Sequence, residues 1–136
     1  MDGETSGSAA EEQLDDPDEL LFRQVHPGWV DEGVPSSQAF APTKKDEGKL
    51  SIDRGSLTTA QKAYEHHTSV RNLSSAGTWA VTVGEARGAD LGSFGEPVPD
   101  DVAHGFIDFR SLTRKVSERR AKLLLAHAVA RGRLHP

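Results

Sequence analysis

Hydrophobic and polar residues alternate in four short segments of the chain, which is the pattern of a half-buried β-strand. The alternation is most regular in "TWAVTVGEA", where Trp79, Val81 and Val83 fall on one face and Thr78 and Ala80 on the other. Glycine and proline follow most of these segments and break regular structure. The four predicted strands are "ELLFRQVHP" from residue 19, "KLSIDRG" from 49, "TWAVTVGEA" from 78 and "AHGFIDF" from 103.

Two segments have helical spacing instead. In "SLTTAQKAYEHHT", Thr58 and Gln61 have the spacing of a capping box. A second helix is predicted from Ser111, as a cap, to about residue 130, where Gly132 follows. Its apolar face consists of Val116, Ala121, Leu123, Leu124, Leu125 and Ala128. The order strand, strand, helix, strand, strand, helix predicts a small α+β domain of about four strands and two main helices.

Residues 1–18 are rich in Gly, Ser, Asp and Glu, and we expect them to be a disordered acidic tail ahead of a single domain at 19–136. The longest predicted connection, residues 29–48, contains "PSSQAF". Trp29 and Phe40 are expected to anchor this loop in the core. Ser36 and Ser37 are then either plain loop residues or hydroxyls for a ligand, and they matter only if Arg23 or His104 faces them.

The composition excludes several classes of site. The 136 residues include no Cys, which rules out disulfides, thiolate metal sites and Cys nucleophiles. No apolar run is long enough to span a bilayer, and the N-terminus has neither the basic start nor the apolar stretch of a secretory leader. We therefore expect a cytoplasmic protein that does not associate with membranes.

Charge is divided unevenly along the chain, although the net charge is only −5. Residues 1–20 hold eight acidic residues and no Lys or Arg, whereas the last predicted helix is basic. Lys115, Arg119 and Lys122 have helical i, i+4, i+7 spacing, so they form one basic ridge. The ridge is either a solvated face or a surface for an anionic partner. In the second case the acidic head would fold back over the helix and compete with that partner for the ridge. An acidic protein is the expected partner; nucleic acid is the weaker alternative, since no aromatic residue lies beside the ridge to stack on bases.

No strong catalytic motif is present, so candidate residues are chosen by chemistry. Arg23 interrupts an apolar strand, where a charge needs a partner or an anionic ligand. His26 ends the first strand and His104 opens the fourth, just after Asp101; a His beside a carboxylate can act as a general base. If the two strand ends meet, these groups share a site with Ser36 and Ser37. The alternative is an edge-strand Arg and two satisfied surface histidines.

A second candidate is Arg54, which lies between a strand and a capped helix. A helix N-terminus attracts anions, so Arg54 with nearby hydroxyls could bind phosphate, although ordinary capping explains the same residues. His66 and His67 are adjacent on the helix, so their side chains diverge by about 100° and cannot readily chelate one metal. No metal site is predicted. No cofactor is predicted either, unless the substrate is NAD or a nucleotide.

The stretches "FRQVHP", "PSSQAF" and "KLSIDRGSLTTAQKAYEH" resemble small bacterial proteins without an assigned activity, and also the start of RES-type and other ADP-ribosyltransferase-like domains. The resemblance implies an NAD-handling enzyme. It implies that Arg23 holds a ribose or a phosphate, that Ser36 or Ser37 lies in a second motif, and that Glu65 or Glu85 is the acid.

Two functions from different classes follow. The first is a non-catalytic module that binds a protein partner through its long loops and basic helix. The second is a small enzyme acting on a nucleotide or NAD-like substrate through Arg23, His26 and His104, with Ser36, Ser37, Arg54 and Asp101 binding the ligand. Clustering of these side chains in one pocket would support the second. Nucleic-acid binding through Lys115, Arg119 and Lys122 is a third, weaker alternative.

Overall fold

The computed structural model describes residues 11–136, which form a six-stranded antiparallel sheet, a two-stranded ribbon and three α-helices. The strands are β1 Glu12–Gln13, β2 Leu20–Gln24, β3 Val30–Asp31, β4 Val34–Pro35, β5 Lys49–Arg54, β6 Thr78–Thr82, β7 Ser93–Gly95 and β8 His104–Asp108. The helices are α1 Ala60–Glu65, α2 Val83–Gly88 and α3 Arg114–Arg131. The strand order in the sheet is β1-β7-β8-β5-β2-β6, and β3 pairs with β4 in the ribbon.

The α+β class is confirmed, and each of the four predicted strands forms, as β2, β5, β6 and β8. The sheet is nevertheless larger than predicted, because β1 and β7 extend it. These strands have only two and three residues, too few to show an alternating pattern. The prediction of a disordered segment is wrong for its end, since β1 pairs with β7 and Leu14 is buried. The rest of that prediction, residues 1–10, lies outside the described residues.

The segment "TWAVTVGEA" is a strand only as far as Thr82. There the chain turns into α2, because Thr82 and Glu85 cap each other. The Thr82 hydroxyl accepts the Glu85 N–H at 3.0 Å, and the Glu85 carboxylate accepts the Thr82 N–H at 2.9 Å. Both predicted caps are displaced: Thr59 caps α1 instead of Thr58, and Thr113 caps α3 instead of Ser111.

One face of the sheet, here called the α3 face, packs against α2, α3 and the loop before β5. Leu21 of β2 lies directly opposite Val81 of β6 on this face, and Leu50 of β5 opposite Ile107 of β8. From α3, Leu124 is fully buried, whereas its neighbour Leu123 is exposed. This is the main core of the described residues. Its largest buried side chains are Phe40, Leu21, Leu50, Leu91, Ile107 and Leu124.

The opposite face, here called the α1 face, has a much smaller core, in which Phe22 and Ala80 pack against Ala63 of α1. Helix α1 is short and continues as a π-helical turn, His66–Val70. Farther along this face, Phe106 is covered by cations rather than by a helix. Its ring lies 4.8 Å from Lys49 Nζ and 5.0 Å from the Arg110 guanidinium carbon.

The segment "PSSQAF" is ordered. Ser37–Phe40 forms a 3₁₀-helix, and Phe40 is fully buried, which confirms its predicted role as an anchor. On α3, the basic ridge of Lys115, Arg119 and Lys122 is exposed.

Within residues 11–136, no helix has both the length and the apolar composition needed to cross a bilayer.

Candidate functional site

A cleft of about 200 Å³ lies on the α1 face, between the sheet, the π-helical turn and the loop before β8. It concentrates charge to an unusual degree for a small protein, since most of its lining side chains are ionisable. They come from four separate stretches of the chain, so their proximity exists only in the folded state. The ionisable lining residues are Arg23, Asp53, His66, His67, Arg71, Asp101 and His104.

The floor of the cleft follows from strand register. Asp53 of β5 lies directly opposite Phe22 of β2 on one side and opposite His104 of β8 on the other. Directly opposed residues point to the same face of a sheet. Phe22, Asp53 and His104 therefore form a row across three neighbouring strands, with an apolar ring at one end and an imidazole at the other.

Two carboxyl groups meet in the cleft. Asp53 is largely buried and hydrogen-bonds through its side chain to Asp101. Burial raises the pKa of Asp53 to about 8, and the hydrogen bond and the charge of Asp101 act in the same direction, against the opposing charge of Arg71. The Asp101 carboxylate also accepts the Ala103 N–H at 3.1 Å. At neutral pH Asp53 therefore keeps its proton beside Asp101, and carboxyl groups placed in such different environments are found where acid and base work side by side.

His104 is oriented by a backbone carbonyl. Its Nδ1 lies 2.9 Å from Glu96 O, so Nδ1 donates a proton there and Nε2 is the nitrogen available to a ligand. His67 lies in the wall across from this row. Burial lowers the pKa of His67, and the nearby charges of Arg23 and Arg71 lower it further. His67 is therefore neutral near pH 7, and it can accept a proton or a hydrogen bond.

Arg23 occupies a gap in the sheet. Pairing between β2 and β5 comprises only Leu21 with Arg54 and Phe22 with Asp53. Just beyond it, the Arg23 guanidinium donates to Ser51 O at 3.0 Å and to Ala39 O at 2.8 Å. Burial lowers the pKa of Arg23 to about 10, so the group stays charged at pH 7.

Among residues 11–136, no carboxylate contacts the Arg23 guanidinium. Both of its hydrogen bonds go to backbone carbonyl groups. A guanidinium has five N–H groups, and the two bonds use two of them. Arg23 lies directly opposite Trp79 of β6, so its side chain leaves the strand towards the α3 face, and its guanidinium carbon lies 5.9 Å from the Trp29 ring. Because β2 and β5 are not paired at this point, Arg23 also lines the cleft. The charge of Asp46 acts on Arg23 against the effect of burial, but Asp46 does not contact it, and a cation of this kind can be satisfied by a phosphate or carboxylate ligand.

The wall of the cleft is joined to the loop before β8 through Asp100. Arg71 Nε lies 3.2 Å from the Asp100 carboxylate, and His66 Nε2 lies 2.9 Å from Asp100 O. The hydrogen bond from Arg71 lowers the pKa of Asp100, which stays ionised. The π-helical turn itself contributes both His66 and His67, and single π turns occur often at functional sites.

The predicted site residues divide into two groups. Arg23, Asp101 and His104 all line the cleft. His26, Ser36 and Ser37 do not. His26 is exposed and caps a 3₁₀-helix, where its Nδ1 accepts the Gly28 N–H at 2.9 Å.

The two serines belong to the loop that closes the α3 face. Ser36 is the exposed residue before a 3₁₀-helix, and Ser37 begins that helix on the side of α3. Arg23 reaches this segment at the Ala39 carbonyl and not at a serine hydroxyl, and neither serine lines the cleft, which favours a plain loop for "PSSQAF".

Arg54 has a structural partner instead of a ligand. Its Nε donates to the Glu19 carboxylate at 2.9 Å, and the Ser56 hydroxyl donates to the same carboxylate at 2.7 Å. The side chain of Glu19 is only 5% exposed. The two acids that the family resemblance implied also lie outside the cleft. Glu65 is exposed, and Glu85 is paired with Arg131 at 2.9 Å.

Sequence reasoning did not identify four of the cleft residues as site residues: Asp53, His66, His67 and Arg71. Asp53 directly precedes the candidate Arg54 and was not itself chosen, although its place on the polar side of an alternating strand was a signal. His66 and His67 were judged as a metal pair, which hid their separate roles. Arg71 lies in a polar linker and has no sequence signal at all.

A larger groove of about 590 Å³ lies beside the start of α3, but both of its arginines are already paired. Arg110 contacts Asp108 at 2.9 Å and Glu11 at 3.2 Å, and Arg114 contacts Glu118 at 3.1 Å. Size alone does not indicate chemistry, so the smaller cleft is the stronger candidate.

Among residues 11–136, no group of three His, Asp or Glu side chains is placed to hold a metal ion. No family model, curated protein or solved structure significantly matches the chain.

Proposed function

We propose that the chain is a small hydrolytic enzyme, that its active site is the cleft on the α1 face, and that its substrate is a nucleotide or NAD-like molecule. The observation that carries this proposal is the carboxyl group of Asp53, which keeps its proton beside Asp101 in a cleft that is also lined by Arg23 and Arg71. Perturbed carboxyl groups inside a cleft mark functional sites more often than structural ones.

Arg23 and Arg71 supply the binding of the anion. Arg23 is fixed by two carbonyl groups, so its remaining N–H groups are held in a constant direction. Arg71 has a more exposed side chain, 36%, and it can pivot from Asp100 towards a phosphate. Two guanidinium groups suit a substrate with one or two phosphates, because each presents paired N–H donors to phosphate oxygens.

The carboxyl pair supplies the acid and the base. The Asp101 carboxylate accepts a proton from a water molecule, whose oxygen forms the new bond to the electrophilic atom of the substrate. The bond to the leaving group breaks with both electrons on the leaving group, which takes the proton of Asp53. The pair holds one proton before and after the step, and transfer across its hydrogen bond restores the starting state.

The first experiment incubates the purified chain with NAD, ADP-ribose and AMP and identifies products by mass spectrometry. These products distinguish cleavage of a glycosidic bond from cleavage of a phosphoester bond. Asp53→Asn and Asp101→Asn are expected to lower kcat by about 10²- to 10⁴-fold. Asp90→Asn is the matched control, because Asp90 is exposed and lies outside the cleft. Unchanged activity in both cleft variants, or no turnover by the wild type, would overturn the proposal.

The basic ridge supports a second candidate function, the binding of an acidic protein partner. Lys115, Arg119 and Lys122 are exposed, and none forms an ion pair with another described residue. A triple change to Gln is expected to abolish capture of such a partner without altering the cleft. If the ridge instead binds a nucleic acid, with an affinity that falls as the salt concentration rises, the third function, nucleic-acid binding, would be supported.

A further inference from the structure

Exposed aliphatic side chains occur in the two segments that border the cleft, the one after α1 and the loop before β8. Val70, Leu73 and Val102 are 62%, 49% and 69% exposed. Leu73 lines the cleft directly, Val70 precedes the lining residue Arg71, and Val102 follows the lining residue Asp101. These three residues are called the apolar rim below.

The apolar rim is assembled by the contacts of Asp100. Val70 and Leu73 belong to the segment after α1, and Val102 to the loop before β8. Arg71 and His66 both bond to Asp100, which holds the two segments side by side. Leu73 is fixed in turn by its N–H, which donates to His67 O at 3.0 Å. The rim therefore has a defined position, although its side chains are in solvent.

The interior of the cleft is different. It contains arginine, histidine and carboxyl groups, with Phe22 as its main apolar surface. A ligand that reached both parts would place an anionic group against Arg23 and an apolar group against the rim. Exposed aliphatic residues that border a polar cleft commonly take part in binding.

We propose that the apolar rim determines specificity, by binding the base of a nucleotide whose phosphate occupies the cleft. This inference rests on the proposed function, since it assigns the second half of the same substrate. The contacts are aliphatic, so they recognise the apolar face of the base rather than its hydrogen-bonding edge. Adenine and another flat base should therefore be bound with similar affinity.

The test compares AMP with ribose 5-phosphate, which has the same phosphate and sugar but lacks the base. Isothermal titration calorimetry of the wild-type chain should show AMP binding at least about tenfold more tightly. Leu73→Ser and Val102→Ser should each reduce that preference severalfold, while the affinity for ribose 5-phosphate stays constant.

Leu57→Ser is the matched control, because Leu57 is 51% exposed and does not line the cleft. It should leave both affinities unchanged. Equal affinity of the wild type for the two ligands would overturn the inference and leave the proposed function standing. An equal loss of the preference for AMP in the rim variants and in the control variant would also overturn the inference. Failure of the wild type to bind either ligand would overturn both proposals together.

Discussion

The two faces of the sheet are built from the same strands but used differently. The α3 face is covered by a helix of 18 residues, Arg114–Arg131, and by a loop, and it contains most of the large buried side chains. The α1 face is covered by a helix of six residues, and its core has three buried members, Phe22, Ala63 and Ala80. The space that α1 does not fill is the cleft.

This difference shows how a small domain can accommodate polar groups whose burial lowers its stability. Burying a carboxyl pair and an arginine without an anionic partner lowers stability. The α3 face compensates, because its apolar residues are removed from water and its charged residues are paired. Stability thus depends mainly on the α3 face, whereas the proposed chemistry belongs to the α1 face.

The largest effect is expected from Leu124→Ala on the α3 face. Leu124 is fully buried, so the change should lower the free energy of unfolding by about 3 kcal/mol, through lost burial and a new cavity. Chemical denaturation measures this value. Leu123→Ala, at a neighbouring residue that is 48% exposed, should cost less than about 0.5 kcal/mol. Similar costs for the two leucines would refute the assignment of the main core to this face.

The second-largest loss of stability is expected when an ion pair on the α3 face is broken. Arg54 lies directly opposite Leu21, so it belongs to the α3 face, and Glu19 neutralises it. Glu19→Gln should destabilise the fold by about 2 to 3 kcal/mol, because it leaves a shielded arginine with only the exposed carboxylate of Glu12, 3.8 Å away. Thermal unfolding with Glu118→Gln as the exposed control would test this. A cost no larger than that of the control would show that Arg54 is free to serve a ligand.

A smaller effect should appear in the pH dependence of stability. The folded chain keeps the Asp53 proton up to about pH 8, whereas the unfolded chain releases it near the ordinary value of 3.8. Stability therefore falls as pH rises towards 8. His67 acts oppositely below about pH 6.5, because its pKa is lowered. Between pH 6.5 and 8 the free energy of unfolding should drop by about 1 to 2 kcal/mol.

Asp53→Asn should remove most of that slope and make the protein more stable than the wild type at pH 8. Urea titrations at several pH values provide the measurement. Parallel curves for the two proteins would mean that Asp53 does not hold a proton in the folded state. The carboxyl pair would then lose its role as a combined acid and base.

The smallest stability effect is expected for Arg71→Ala on the α1 face. The ion pair of Arg71 with Asp100 is exposed, so its loss should change the free energy of unfolding by less than about 0.5 kcal/mol. Binding of pyrophosphate should nevertheless weaken by about tenfold. Arg119→Ala, on the basic ridge, should change neither property. A destabilised variant with intact binding would make Arg71 a structural residue.

The elements that could be predicted were those with a long local pattern. β2, β5, β6, β8 and α3 each show several repeats of their period, so their residue order was sufficient. The elements that were missed, such as β1 and β7, are stable only because neighbouring strands supply their hydrogen bonds. α2 was missed because its first residue continues the alternation of β6, and only the Thr82 cap ends the strand.

The sequence alone determined the α+β class, the apolar face of α3, the exposed basic ridge and the suitability of Arg23, Asp101 and His104 for chemistry. These properties depend on residue type and local spacing. Tertiary structure alone decided which of the candidates meet. It placed Asp53 beside Asp101, brought Arg71 to Asp100, and moved His26, Ser36 and Ser37 out of the site. Such proximities depend on strand register and loop path, which link residues far apart in the chain and leave no local pattern.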